Sequence, residues 1–159
     1  MSPALLGSAF VRLRVASLAL ALALALPLPL LLSRALAADV PGPCYLTRLD
    51  GESIRAFSTR RITCAVERFG PIPGGVERAV CIADRESHLH PKATSETGMY
   101  LGLYQHAAGY WPARYERMTN PDWELPESAL NGRSNSIVTV RMVVRAGAWG
   151  PAGWPRGDC

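Results

Sequence analysis

An apolar run near the N-terminus decides which residues of this chain are available to fold. Arg12 and Arg14 precede the run, which extends over residues 16–32 and is almost free of polar side chains. Ala35-Leu36-Ala37 then places small residues at the spacing that a signal peptidase accepts. The pattern predicts a signal peptide over residues 1–37, with cleavage after its last alanine.

An uncleaved membrane anchor is the alternative, because the apolar run is just long enough to span a bilayer. Pro27 and Pro29 interrupt the run, and the small residues that follow it favour removal. We therefore expect a protein that is secreted or held in the cell envelope, with no stable membrane insertion after cleavage.

The charge and length of the chain that remains after cleavage limit its partners and its number of domains. The whole chain has 159 residues with 17 basic and 13 acidic side chains, but the leader contains three arginines and no acid. The net charge after cleavage is therefore close to zero, and no basic stripe for nucleic acid is visible. We expect no nucleic-acid partner, a monomer, an irregular lead-in over residues 38–51, and one domain over residues 52–159.

The four cysteines follow the leader. Cys44, Cys64, Cys81 and Cys159 form an even set in an exported chain, which favours two disulfides. Metal binding is the competing interpretation, but no pair has the C-x-x-C spacing of a zinc site. We expect no metal and no cofactor, and spacing alone leaves three disulfide connectivities open.

Helical periodicity is clearest after the Pro- and Gly-rich break at residues 71–75. Val76, Ala79, Val80 and Ala83 step by three and four, which predicts a helix from Val76 to about His88. The second half of residues 52–69 is predicted to be helical, and its first half is left open. Residues 94–105 are predicted to form a turn and a short extended piece, and residues 106–132 only short helices.

Residues 136–145 are rich in β-branched side chains and suit a strand or a helix. We favour a helix because Ser134 or Asn135 can cap its start, Arg145 suits its end and Gly147 can close it. The tail over residues 148–159 is predicted to be an irregular strap.

Glu86 is the residue with the strongest chemical claim. Helical geometry places it near the apolar face of the predicted helix and in its last turn, where unpaired carbonyls disfavour a negative charge. Both effects raise the pKa of a carboxyl group, as a general acid requires. The alternative is a surface glutamate paired with Arg85 or Lys92.

The residues around Glu86 resemble a known signature. Arg85-Glu86-Ser87, Pro91, Gly98 and Gly102-Leu103-Tyr104-Gln105 are similar to the catalytic motif of lytic transglycosylases and resuscitation-promoting factors. The likeness continues in residues 131–147 and in Trp149-Gly150-Pro151. His90 and Tyr104 depart from the asparagine and methionine usual at these places.

This resemblance implies a mainly α, lysozyme-like α+β fold with a short β hairpin. It also implies a lytic transglycosylase that cuts the β-1,4 bond between N-acetylmuramic acid and N-acetylglucosamine, with peptidoglycan glycan strands as its partner. Glu86 would be the single catalytic residue, acting as acid and then as base. The alternatives are a hydrolytic muramidase of the same fold and a glycan-binding module without activity.

Further expectations concern substrate binding and the disulfides. Ser87 and Gln105 resemble polar residues that line the cleft in that family and are expected to bind substrate. Tyr100 and Tyr104 are expected to bind it by stacking on sugar faces, and Glu96 is held in reserve as a second carboxylate. The likeness favours the disulfides Cys81–Cys159 and Cys44–Cys64, with Cys64–Cys81 as the second choice.

Two weaker hypotheses concern the aromatic and histidine side chains. Tyr110 and Trp111 could also stack on sugars, although dense aromatics in a small domain are more often core. His88, His90 and His106 invite a zinc hypothesis, which the absence of a third ligand at helical spacing disfavours.

Overall fold

The computed structural model describes residues 42–154 and Cys159. The predicted signal peptide and its cleavage site lie outside the described residues, as does the start of the lead-in. Among the described residues, no helix has both the length and the apolar composition needed to span a membrane.

The first two helices are separated by the Pro- and Gly-rich break. Helix α1 is Ile54–Phe69 and begins at Ser53, whose hydroxyl accepts a hydrogen bond from the Ala56 amide. The helix therefore includes the half that the sequence left open, because the Ser53 cap starts it a full turn before the first buried residue. Helix α2 is Gly75–Ser87, which confirms the predicted helix.

A short antiparallel hairpin follows α2. Strand β1 is Tyr100–Leu101 and pairs with strand β2, His106–Ala107, while Thr94 forms an isolated bridge to Leu101. Residues 102–105 form the connecting turn between the strands. The motif residues Gly102 to Gln105 therefore lie in a turn and not in a strand.

Short helices fill residues 108–123, as predicted. Ala108–Tyr110 and Pro121–Trp123 are 3-10 helices, and helix α3 is Trp111–Met118 between them. The chain then runs without regular structure to Asn131.

Helix α4, Gly132–Ala146, is the central element of the domain. Nine consecutive residues from Gly132 to Val140 are buried, and α1, α3 and α5 (Trp149–Ala152) pack against the helix. The helix that we favoured over a strand is confirmed, but its start was wrong. Asn131, not Ser134 or Asn135, caps it by accepting from the amides of Arg133 and Ser134.

The described part of the C-terminal tail, residues 148–154, contains regular structure where an irregular strap was predicted. It includes α5, and Trp149 and Trp154 are both buried beside Tyr104. Each indole N–H donates to a backbone carbonyl, of Pro73 and of Tyr104, at 2.9 Å. The described part of the tail thus completes the core, because two large aromatic side chains bury extensive apolar surface there.

Two disulfides connect the domain. Cys44 is bonded to Cys64 and Cys81 to Cys159, the same pairs that the family likeness favoured. The first ties the lead-in to α1, and the second ties α2 to Cys159. The protein is therefore mainly helical, with a short two-stranded sheet and two disulfides, which suit an oxidising compartment.

Candidate active site

Glu86 lies in the last turn of α2, one residue before the helix ends. Its side chain is 27% exposed, and one carboxylate oxygen lies 3.9 Å from the Arg85 guanidinium. The contact with Arg85 is long and open to solvent, so the guanidinium stabilises the ionised carboxylate only weakly. Glu86 is thus a partly buried acid that still reaches the surface.

Burial raises the pKa of Glu86 above its ordinary value, and the positive charge of Arg85 opposes this rise. Withdrawal from water is the larger effect because the charged form loses hydration that Arg85 does not replace. The acid form consequently persists closer to neutral pH than in an exposed glutamate. A proton donor with these properties suits general acid catalysis.

The backbone beside Glu86 is strained. His88 and Leu89 both adopt positive φ, at 53° and 59°, and Gln105 does so at 47°. Left-handed conformations cost a residue with a side chain roughly 1–2 kcal/mol. Strained backbone residues are often found at functional sites, where they help to position a side chain. Here they lie directly after the end of α2 and in the hairpin turn.

Arg55 holds the end of α2 from the neighbouring helix α1. Its guanidinium donates to both oxygens of Asp84, at 2.7 and 2.9 Å, and to the backbone carbonyl of His88 at 3.0 Å. The same contact lowers the pKa of Asp84, chiefly through the hydrogen bond from Arg55. The sequence does not reveal this clamp, because 29 residues separate its two ends and no local pattern links them.

Ser87 joins α2 to the hairpin turn. Its buried hydroxyl lies 2.9 Å from the Leu103 carbonyl and 3.0 Å from the Ala83 carbonyl, and its one proton serves both. The side chain faces the protein and not the solvent. Substrate binding by Ser87 stays a prediction that this burial disfavours.

Tyr104 lies inside the core, and substrate binding by Tyr104 stays a prediction that this burial disfavours. It is fully buried, and its hydroxyl donates to the Ala79 carbonyl at 3.0 Å. The rings of Trp149 and Trp154 flank it, with centroids 6.2 and 5.7 Å away. The motif position is occupied by a core residue because the turn over residues 102–105 points this side chain inward.

Gln105 and Tyr100 lie at the hairpin. The side-chain amide of Gln105 donates to the Gly102 carbonyl at 2.9 Å and approaches that of Ala93 at 3.4 Å, so it braces the turn. Tyr100 is 45% exposed on β1. Of the four residues expected to bind substrate, Tyr100 has the most accessible side chain, and its contact with sugar stays a prediction.

Other residues with a predicted role are scattered. Tyr110 is exposed, whereas Trp111 is buried and its indole N–H donates to the Glu127 carbonyl. Glu96 is exposed in the turn before β1. Glu96 is therefore a surface carboxylate, and its role as a second catalytic carboxylate stays a prediction.

The three histidines do not form one site. The side chain of His88 is almost fully exposed and His90 is exposed, whereas His106 is fully buried. Within the part of the chain that the structure describes, no three His, Cys, Asp or Glu side chains gather as metal ligands would. The zinc hypothesis thus has no support in this arrangement.

Sequence reasoning assigned Asn135 to a helix cap and missed its actual function. The buried side chain accepts from the Tyr104 amide at 3.1 Å and donates to the Ala129 carbonyl at 2.8 Å. It thereby attaches the hairpin turn to the central helix. No local pattern in the sequence marks this function, because Asn135 stands between two other polar residues, Ser134 and Ser136, at the start of the helix.

Comparison of the chain with protein-family models, with curated proteins and with solved structures finds no match.

Proposed function

We propose that this protein is an exported glycosidase that cleaves peptidoglycan, with a lytic transglycosylase-like mechanism and Glu86 as its sole acid and base. One observation carries the proposal: a partly buried glutamate with a raised pKa ends α2 beside a strained turn. The resemblance of residues 85–105 to the transglycosylase motif supplies the substrate class.

The first step is protonation of the leaving group. Glu86 in its acid form gives its proton to the oxygen that bridges the two sugars, and the bond between that oxygen and the sugar carbon breaks. Positive charge grows on the sugar carbon, and the acetamido oxygen of the same sugar bonds to it. The positive charge is thereby met without a second carboxylate from the protein.

The second step returns the proton. The 6-hydroxyl oxygen of the same sugar attacks the sugar carbon and displaces the acetamido oxygen, while the Glu86 carboxylate removes the proton of that hydroxyl. Glu86 is then acid again, no water is consumed, and the product carries a 1,6-anhydro ring. One group with a pKa near the working pH can serve both steps.

The surroundings of the other carboxylates support a single catalytic glutamate. Asp84 accepts hydrogen bonds from the two terminal nitrogens of the Arg55 guanidinium, which lower its pKa and keep it ionised. A carboxylate in such an ion pair is a poor proton donor. Glu96 is exposed to water and carries none of the burial that sets Glu86 apart.

The test is mass spectrometry of the soluble products released from purified peptidoglycan by the oxidised protein. We expect anhydro-muropeptides, which are lighter by one water than fragments with a reducing end. Glu86→Gln should lower the rate by about 10²–10⁴-fold, the usual contribution of a general acid. Glu96→Gln is the matched control and should leave the rate unchanged.

Three other outcomes would revise the proposal. Reducing ends that require both Glu86 and Glu96 would identify a hydrolytic muramidase with two carboxylates. Sedimentation with insoluble peptidoglycan, without release of products, would identify a binding module. If the protein neither bound nor cleaved peptidoglycan, this result would refute peptidoglycan as the substrate.

A further inference from the structure

A second surface of the domain, between α3, the end of α4 and α5, forms an open cavity of about 450 Å³. Its walls combine three arginines and an exposed tyrosine with two methionines: Arg114, Arg117, Arg145, Tyr110, Met118 and Met142. The cavity is large enough for a small organic molecule, since ligand pockets usually measure roughly 300–1,000 Å³.

The positive charge in this cavity is uncompensated among the described residues. Within that part of the chain, Arg114, Arg117 and Arg145 form no ion pair with a carboxylate. Burial, followed by the nearby charge of Arg117, lowers the pKa of Arg114. Three guanidinium groups around one cavity, two from α3 and one from the end of α4, produce a local positive potential that attracts an anion.

Arg114 is held in place by a chain of buried hydrogen bonds. One guanidinium nitrogen donates to Nδ1 of His106 at 3.0 Å, and Nε2 of His106 lies 2.8 Å from the hydroxyl of Thr139. Burial lowers the pKa of His106 to about 3, so the ring is neutral and Nδ1 can accept. The Thr139 hydroxyl donates in turn to the Asn135 carbonyl, inside α4.

This arrangement leaves part of Arg114 free for a ligand. The bond to His106 uses one of its five N–H groups, and the guanidinium lies 5.8 Å from the ring centre of exposed Tyr110. A guanidinium that is already oriented loses less conformational entropy when it binds an anion. The cavity therefore presents one oriented guanidinium, that of Arg114, beside the two exposed arginines, Arg117 and Arg145.

We propose that this cavity binds a phosphate group, either as the free anion or as the phosphoester of a small molecule. A phosphate oxyanion offers three or four acceptor oxygens, which several guanidinium groups can contact together, whereas one carboxylate is satisfied by a single arginine. Tyr110 and the methionines provide apolar surface on which the organic part of a phosphoester would pack.

The proposal is tested by isothermal titration of the oxidised protein with three probes: inorganic phosphate, glucose 6-phosphate and glucose. We expect both phosphates to bind, with an affinity that falls as salt is added, and glucose not to bind. Tighter binding of glucose 6-phosphate would identify a phosphoester as the natural ligand, and equal affinities would identify free phosphate.

Arginine variants locate the site. Arg114→Gln should weaken phosphate binding at least about tenfold, as expected for loss of a charge-assisted hydrogen bond. Because this change also removes the partner of His106, the double variant Arg117→Gln/Arg145→Gln, in which both residues are exposed, provides an independent test and should show a similar loss. Arg48→Gln removes an exposed arginine from outside the cavity wall and should bind phosphate as the unchanged protein does.

Two results would overturn the proposal: no heat of binding with either phosphate, or binding that persists in both arginine variants. The outcome is separable from that of the proposed glycosidase activity. Glu86→Gln should bind phosphate with unchanged affinity whether or not the protein cleaves peptidoglycan.

Discussion

A carboxyl group that is partly withdrawn from water destabilises the fold once it ionises, and Glu86 is such a group. Because its pKa is raised in the folded protein, the folded state holds the proton more tightly than the unfolded state. The free energy of unfolding therefore falls as the pH rises from the unfolded pKa through the folded pKa. Above that range the ionised side chain is a lasting cost to stability.

Glu86→Gln removes that cost. We expect the variant to be more stable than the unchanged protein at about pH 8 and to lose this advantage at about pH 3.5, below the ordinary pKa of glutamate. Denaturant unfolding at the two pH values measures the difference. Glu96→Gln, which removes an exposed carboxylate, is the control for the loss of one negative charge. A stability difference that does not change with pH would contradict the burial of Glu86.

Tyr104 illustrates what burial does to a motif position. Tyr104→Phe removes the hydrogen bond to the Ala79 carbonyl but keeps the ring between the two tryptophans. We expect a loss of about 1 kcal/mol in the free energy of unfolding, with cleavage of peptidoglycan retained. Tyr100→Phe, at an exposed site, should change stability by less than about 0.5 kcal/mol. A loss of cleavage in a stable Tyr104→Phe protein would indicate that the Tyr104 hydroxyl contributes to the substrate site.

Among the elements, the end of α2 shows the plainest conflict between local preference and the observed structure. A helix commonly ends in a left-handed residue, and glycine is preferred there. This helix uses His88 instead, and Leu89 continues in the same region. The positive φ of Leu89 is explained by its buried side chain, which packs in the core. The almost fully exposed His88 has no such packing role.

His88→Gly should therefore raise the free energy of unfolding by about 1 kcal/mol, since glycine adopts positive φ without a steric penalty. His90→Gly is the matched control. His90 is also exposed but has no positive φ, so glycine there should destabilise the protein by freeing the unfolded chain. Thermal unfolding of both variants measures the contrast. A destabilised His88→Gly protein would show that the imidazole contributes more than its backbone strain costs.

Elements whose periodicity is local were predictable, and those defined by distant partners were not. Helix α2 follows from the three-and-four spacing of its alanines and valines, and the end of α4 from its terminal arginine and Gly147. The start of α4 was misplaced because Ser134, Asn131 and Asn135 are all good capping residues, and only packing chose among them. The helix in the tail was missed because Trp149 within it and Trp154 after it are stabilised by contacts with residues far away in the sequence.

At the scale of the whole molecule, the two disulfides close loops of very different length. Cys44 and Cys64 are 20 residues apart, and Cys81 and Cys159 are 78 apart. The chain-entropy model gives about 3 kcal/mol for the shorter loop and about 4–5 kcal/mol for the longer one. The bond from α2 to Cys159 should thus contribute more to stability.

Replacing each pair of cysteines by alanine tests this order. Cys81→Ala/Cys159→Ala should lower the midpoint of denaturant unfolding more than Cys44→Ala/Cys64→Ala does. The two variants are each other's controls, because both remove two thiols and one bond. The reverse order would indicate that the lead-in contributes packing to α1 beyond the closure of its loop.

The sequence by itself determined the features that depend on near neighbours: the helical spacing of α2, the choice of helix for the β-branched segment and the position of Glu86 near an apolar face. It also indicated two disulfides, since an even set of cysteines behind a predicted signal peptide has few other uses. Only the tertiary structure decided that Tyr104 is core, that Ser87 and Asn135 connect elements, and that three arginines share one cavity. Each of these depends on segments tens of residues apart, whose approach follows from burial of the whole core and leaves no periodic trace in the chain.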